Sequence, residues 1–134
     1  MAVATMGDAV EASLLVTKST IDEFASLSGD NNPIHLDDDY AAETMFGGRI
    51  AHGMIAASVI SAALADLPGD IIYLSQDFEF ENPVRPGDNI VARVEVVEEL
   101  GKDRIRVKTT ASVDEKSVLS GEAVVLSVPH EDAD

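Results

Sequence analysis

In "GDNNPIH", residues Gly29 to His35, an acid and an imidazole stand five residues apart, separated by two amides and a proline. A carboxylate and an imidazole held together can pass a proton to and from a reacting atom. The residues around them are turn formers: Asp and Asn hydrogen-bond their own backbone, and Pro fixes φ. The stretch therefore reads as a polar turn and also as an acid/base pair on a rigid loop, and the two readings are compatible. On a continuous helix, Asp30 and His35 would point about 140° apart. They converge only if the backbone leaves helical geometry. Gly29 permits positive φ, and Pro33 disfavours α geometry at Asn32. The turn is what can place the pair.

The elements that must carry this turn follow from periodicity. "EASLLVTK" predicts a first strand. "STIDEFASLSG" predicts a helix, with Thr20 and Glu23 at capping-box spacing, Ile21, Phe24 and Leu27 on one face, and Gly29 as the stop. Asp30 to about Arg49 is irregular, with a short helix around "DDYAAETM". "HGMIAASVISAALADL" predicts a long helix, apolar nearly all round and so buried on most sides. Beyond Pro68-Gly69 the period becomes two. Four strands of about ten residues, separated by "RPGD", "ELGKD" and "DEK", predict an antiparallel meander. A sheet wrapped around one central helix, an α+β domain covering residues 1–134, accommodates all of this. About eight N-terminal residues and the tail 129–134 are expected to fray.

Composition excludes several functions. Twenty-five acidic residues against nine basic ones give a net charge of −16, which opposes binding to nucleic acid or to an anionic membrane. Hydrophobic residues make up 46%, enough for a packed core at this charge. The span Ile50–Leu67 contains His52, two Ser and Asp66, and suits a buried helix better than a membrane crossing. No basic, apolar leader opens the chain, so a cytoplasmic location is expected. With no Cys, three His and no HExxH, no metal site is expected, although His35, Asp37 and Asp39 are close in sequence. Acidity spread along the whole length resembles that of proteins from a salt-rich cytoplasm.

Gly29, Asp30, Asn32, Pro33, Ile34 and His35, followed by His52, Gly53 and Met54 opening the long helix, resemble the motif of the MaoC-like (R)-specific enoyl-CoA hydratases. The turn "NPVRPGD", Asn82 to Asp88, is similar as well, and the resemblance runs from about residue 11 to 127. It implies the hot-dog fold and reversible syn addition of water to a trans-2-enoyl thioester, with Asp30 and His35 as the catalytic pair. It also implies a serine from the central helix. Spacing places it at Ser61, with Ser58 as the local competitor. A homodimer is expected, because one sheet around one helix leaves strand edges and an apolar flank open; the resemblance implies the same, with sites near the interface.

The implied chemistry asks for three things: a base for water, a proton for the α-carbon, and a donor to the thioester oxygen. Gly53 is the candidate oxyanion donor, since unpaired N–H groups and the helix dipole favour negative charge there. His52 is read as capping or orienting, and Asn32 as bracing the loop beside the substrate. Arg49 and Arg85 are candidates for the coenzyme A phosphates or, equally, for surface pairing with the many acids. No cofactor is implied, because coenzyme A arrives as part of the substrate. A thioesterase, a dehydratase of carrier-bound thioesters and a non-catalytic thioester-binding module are the competing readings. The first is disfavoured because the central helix holds no acid before Asp66.

Overall fold

The computed structural model describes residues 2–130. Its elements are β1 (Ala9–Leu15), α1 (Lys18–Ser28), α2 (Pro33–Leu36), α3 (Asp38–Ala42), α4 (Gly53–Ala65), β2 (Asp70–Gln76), β3 (Glu79–Phe80), β4 (Asn89–Gly101), β5 (Arg104–Val113) and β6 (Lys116–Val128). They form one antiparallel sheet in the order β1-β4-β5-β6-β2, with β3 also paired to β6. On β4, Ile90, Ala92, Val94 and Val96 alternate inward, as period two requires. They meet the buried Ile55, Ile60 and Leu64 of α4 in a core shared with Val107, Leu119 and Val125. Seven residues of α4 are buried. At roughly 1.5–3 kcal/mol for each large apolar side chain, packing outweighs helix propensity here. This is the expected α+β hot-dog arrangement of sheet around helix.

Several local expectations need correction. The predicted four-strand meander is three strands, β4-β5-β6, and β2 crosses to the far side of β6. The eight-residue connection Glu81–Asp88 is the reason, since tight hairpins use two to five residues. The stretch "DIIYLSQDFEFENPV" breaks into β2 and β3 around Asp77 and Phe78. Helix α1 starts earlier than expected. Thr17 caps it, and the capping box pairs Thr17 with Thr20 rather than Thr20 with Glu23. Gly29 ends it in the left-handed region, φ 80°. Its inner face is Ile21 and Ala25, while Leu27 is 86% exposed. α4 is not buried all round: Met54, Ser58, Ser61, Ala62 and Ala65 form an exposed stripe.

The N-terminal residues expected to fray are held instead. Val3 N–H donates to the Ser127 carbonyl and Ala4 N–H to Ser127 Oγ, and Ala4 is fully buried. Gly7 and Asp8 exchange backbone bonds with Val96. In the tail, His130 pairs with Asp70, and residues 131–134 lie outside the described residues.

The break between β2 and β3 depends on Gly121. Asp77 replaces a strand residue there. Its N–H donates to the Glu122 carbonyl, and its Oδ1 accepts from Glu122 N–H. A β-carbon on Gly121 would lie 1.9 Å from the Asp77 carbonyl oxygen, an impossible distance between backbone groups. Gly121→Ala should therefore destabilise the fold by about 1–3 kcal/mol, as other overpacked sites do. Urea unfolding checks this, and an unchanged midpoint would rule the close crossing out.

Candidate active site

The loop after α1 is built as its residue types require. Asp30 N–H donates to Ser28 Oγ, Asn32 N–H to Asp30 Oδ1, and Ile34 N–H to Asn32 Oδ1. Asn32 is thus the N-cap of α2, with ψ 128° outside the α region, as Pro33 demands. It braces the turn. One carboxylate oxygen of Asp30 holds the turn, and the other, Oδ2, stands 4.0 Å from His35 Nε2. That separation is too long for a direct hydrogen bond, but it leaves room for one water oxygen within reach of both atoms.

A second strand of chain, Arg49 to His52, holds the first in place. His35 Nδ1–H donates to the Ile50 carbonyl at 2.8 Å. A carbonyl only accepts, so a singly protonated ring carries its proton on Nδ1 and presents the Nε2 lone pair toward Asp30. Ile50 N–H donates to the Ile34 carbonyl. Arg49 Nε–H donates to the His35 carbonyl at 2.5 Å, and its Nη2 reaches Asp22 Oδ1 of α1 at 3.1 Å. His52 is buried, donates from Nε2 to the Asp30 carbonyl at 2.9 Å, and stacks on His35 with ring centroids 3.9 Å apart. His52 occupies the N-cap position of α4, but its side chain makes no capping bond.

His35, His52 and Gly53 line a cleft of about 390 Å³, with Phe46, Phe80 and Asn82 among its other walls. Gly53 is the first residue of α4, so its N–H has no acceptor within the helix. The ring of Phe80 lies against it: an added β-carbon would be 2.7 Å from Phe80 Cε1. Glycine lets the ring of Phe80 rest directly on the helix end; a larger residue would turn that exposed ring aside.

Other expected residues fall elsewhere. Arg49 is not a free cation for phosphate: its guanidinium is buried and committed to Asp22 and His35. Arg85 is exposed, donates one Nη2 to the Phe46 carbonyl, and lines a separate recess with Lys116. That recess adjoins the cleft through the shared walls Asn82, Pro83 and Val118. Ser61 is not brought to the Asp30–His35 pair. It lines a second groove of about 510 Å³ with Phe24, Met54, Ser58, Tyr73 and Leu74. Ser58, in the same groove, has its Oγ–H on the Ile55 carbonyl.

Asp30, His35 and His52 each bring a ligand-type atom within 4.8 Å of the others. His35, Asp37 and Asp39, close in sequence, are not the residues so gathered. Asp37 is occupied as the N-cap of α3. In the observed group, His52 Nε2 commits its proton to the Asp30 carbonyl, so that atom offers no lone pair to a metal. The role of Arg49 as a brace was missed from sequence, because a lone arginine before a helix gives no local sign of a carbonyl 14 residues away.

The MaoC-like domain matches residues 2–117. Over 122 residues the chain is 45% identical to the 3-hydroxybutyryl-CoA dehydratase of Methylorubrum extorquens, covering 89% of this chain and 78% of that one. It is 42% identical to the (R)-specific enoyl-CoA hydratase of Rhodospirillum rubrum, covering 90% and 85%. Among solved structures, the R-hydratase PhaJ1 of Pseudomonas aeruginosa superposes with a TM-score of 0.88 at 37% identity, over 99% of this chain and 93% of that one. The (R)-hydratase of Aeromonas caviae gives 0.86 at 35%, over 93% and 97%. The domain match over most of the chain and the identity to these relatives show that this chain belongs to the MaoC-like family.

Proposed function

We propose that the protein is an (R)-specific enoyl-CoA hydratase, adding water to trans-2-enoyl-CoA to give (R)-3-hydroxyacyl-CoA. The observation that carries this is the facing of Asp30 Oδ2 and His35 Nε2 at 4.0 Å, with His35 lining a cleft that Gly53, at the start of α4, lines too. Water held by both atoms gives a proton to Asp30 as its oxygen bonds the β-carbon. The double-bond electrons move to the thioester oxygen, which Gly53 N–H and the helix end stabilise. The pair then returns a proton to the α-carbon. Both groups act from one face, so the addition is syn. No cofactor enters the balance. α4 carries no carboxylate from Gly53 to Ala65, which disfavours the thioesterase reading. Loss of enoyl absorbance with no free thiol released tests the assignment; thiol release would overturn it.

The adenosine and phosphate end of coenzyme A is assigned to the recess of Arg85 and Lys116, next to the cleft. Two copies are proposed to pair through β2, an edge strand with Ile72, Tyr73 and Leu74 exposed, beside the open stripe of α4. No described helix is long and apolar enough to cross a membrane. A salt-rich cytoplasm is the setting that the acidity suggests.

Asp30→Asn and His35→Ala should each lower kcat by at least about 10²-fold with folding retained, since positioned acid/base groups contribute 10²–10⁴-fold. Near-normal turnover in either variant removes that residue from the mechanism. Sedimentation at high salt should give twice the 14.2 kDa chain mass; a single-chain species excludes the dimer. Salt provides a further check. The Debye length falls from about 30 Å at 0.01 M to about 3 Å at 1 M, so repulsion between a −16 protein and an anionic ligand is screened. KM for the CoA ester should therefore fall as KCl rises, and Tm should rise. A short uncharged thioester should show no such KM trend. Equal responses from the two ligands would place the effect in folding rather than in steering.

A further inference from the structure

We infer that His52 is a positioning residue for the Asp30–His35 pair, acting through its Nε2–H on the Asp30 carbonyl. The inference rests on the hydratase reading for its kinetic test but not for its structural one. His52 is 3% exposed and touches both members of the pair: its N–H holds the backbone of Asp30, and its ring lies 3.9 Å from that of His35. Phe24 packs against the same ring at 4.9 Å. Its other nitrogen, Nδ1, is buried with no hydrogen-bond partner among the described residues.

That orphan nitrogen is the informative feature. Burying a polar atom without a partner is unfavourable, and an all-carbon ring between His35 and Phe24 would avoid the cost. Packing alone therefore argues for phenylalanine at position 52. What an imidazole supplies and a phenyl ring does not is the proton donated to Asp30. The Asp30 carbonyl belongs to the residue whose carboxylate must face His35, so moving it moves Oδ2. Misplacement of a reacting group by about 1 Å can reduce a rate about 10²-fold.

His52→Phe keeps the stack and removes the donor, whereas His52→Gln keeps a donor at similar reach and removes the ring. We expect His52→Phe to lower kcat about 10–100-fold with KM for a short trans-2-enoyl-CoA within about twofold. Its Tm should match or exceed that of the unsubstituted protein. His52→Gln should retain kcat within about fivefold even if Tm drops. Hydrogen exchange gives a readout independent of turnover: the His35 and Ile50 amides should exchange faster in His52→Phe and not in His52→Gln, with the Val94 amide in the core unchanged. Unaltered kcat and exchange in His52→Phe, or equal losses in both variants, would overturn the inference. An unsubstituted protein that hydrates nothing would defeat the hydratase reading alone, leaving the exchange comparison to decide the role of His52.

Discussion

Four hydrogen bonds between residues 30–35 and residues 49–52 decide whether this chain has a site. The Asp30 carbonyl, the Ile34 carbonyl, the His35 carbonyl and the His35 ring are each bonded to the second segment, through His52, Ile50 N–H, Arg49 and the Ile50 carbonyl. Without these bonds, the turn that local sequence encodes would be a shaped but unanchored loop. The second segment is itself fixed from behind. Ala51 N–H bonds the Val84 carbonyl, and His52 opens the helix whose inner face packs against the sheet. The core's burial energy thus reaches the reacting groups through only a few polar contacts.

Acidic composition gives those contacts added weight. With nine cations against 25 acids, most Lys and Arg would be expected to answer surface charge. Lys18, Arg93 and Arg106 do so, in exposed pairs of small worth. For Arg106, the bond to Glu98 raises an already high pKa, so it stays a cation throughout. Arg49 is different: it is spent inside, and its bidentate reach joins α1 to α2. Removing it would leave Asp22 and a backbone carbonyl to find water instead. The scarcity of positive charge makes its burial at this place a sign of where order is required.

Local chemistry was readable where it is local. Gly29 and Pro33 announce a break in the helix, and the break has the geometry they require. The alternation along β4, β5 and β6 is plain in the sequence, as is the apolar run of α4. Partners distant in sequence were not readable. That β2 joins β6 rather than β4 depends on an eight-residue connection that periodicity does not weigh. Ser61, placed by spacing, faces a groove apart from the pair, because Gly53 and Ala56 turn one face of α4 to the cleft while Met54, Ala57, Ser58 and Ser61 turn another. Thr17 took the cap expected of Thr20 because either hydroxyl can do so, and the strand's end at Leu15 decided between them.

The two shortest helices carry a consequence for how this protein loses activity. Between Pro33 and Ala42, α2 and α3 bury only Ala41 completely, and neither exceeds five residues. Opening free energy in a native protein follows buried apolar contact, so this segment is expected to open at lower cost than the sheet once its few polar bonds to residues 49–52 yield. A mild denaturant or a modest rise in temperature would then populate molecules with an intact sheet and a detached His35. Circular dichroism would barely register the change, since α2 and α3 together hold only nine residues. Residual structure in a heated or aged preparation is therefore a poor measure of how much functional enzyme it contains.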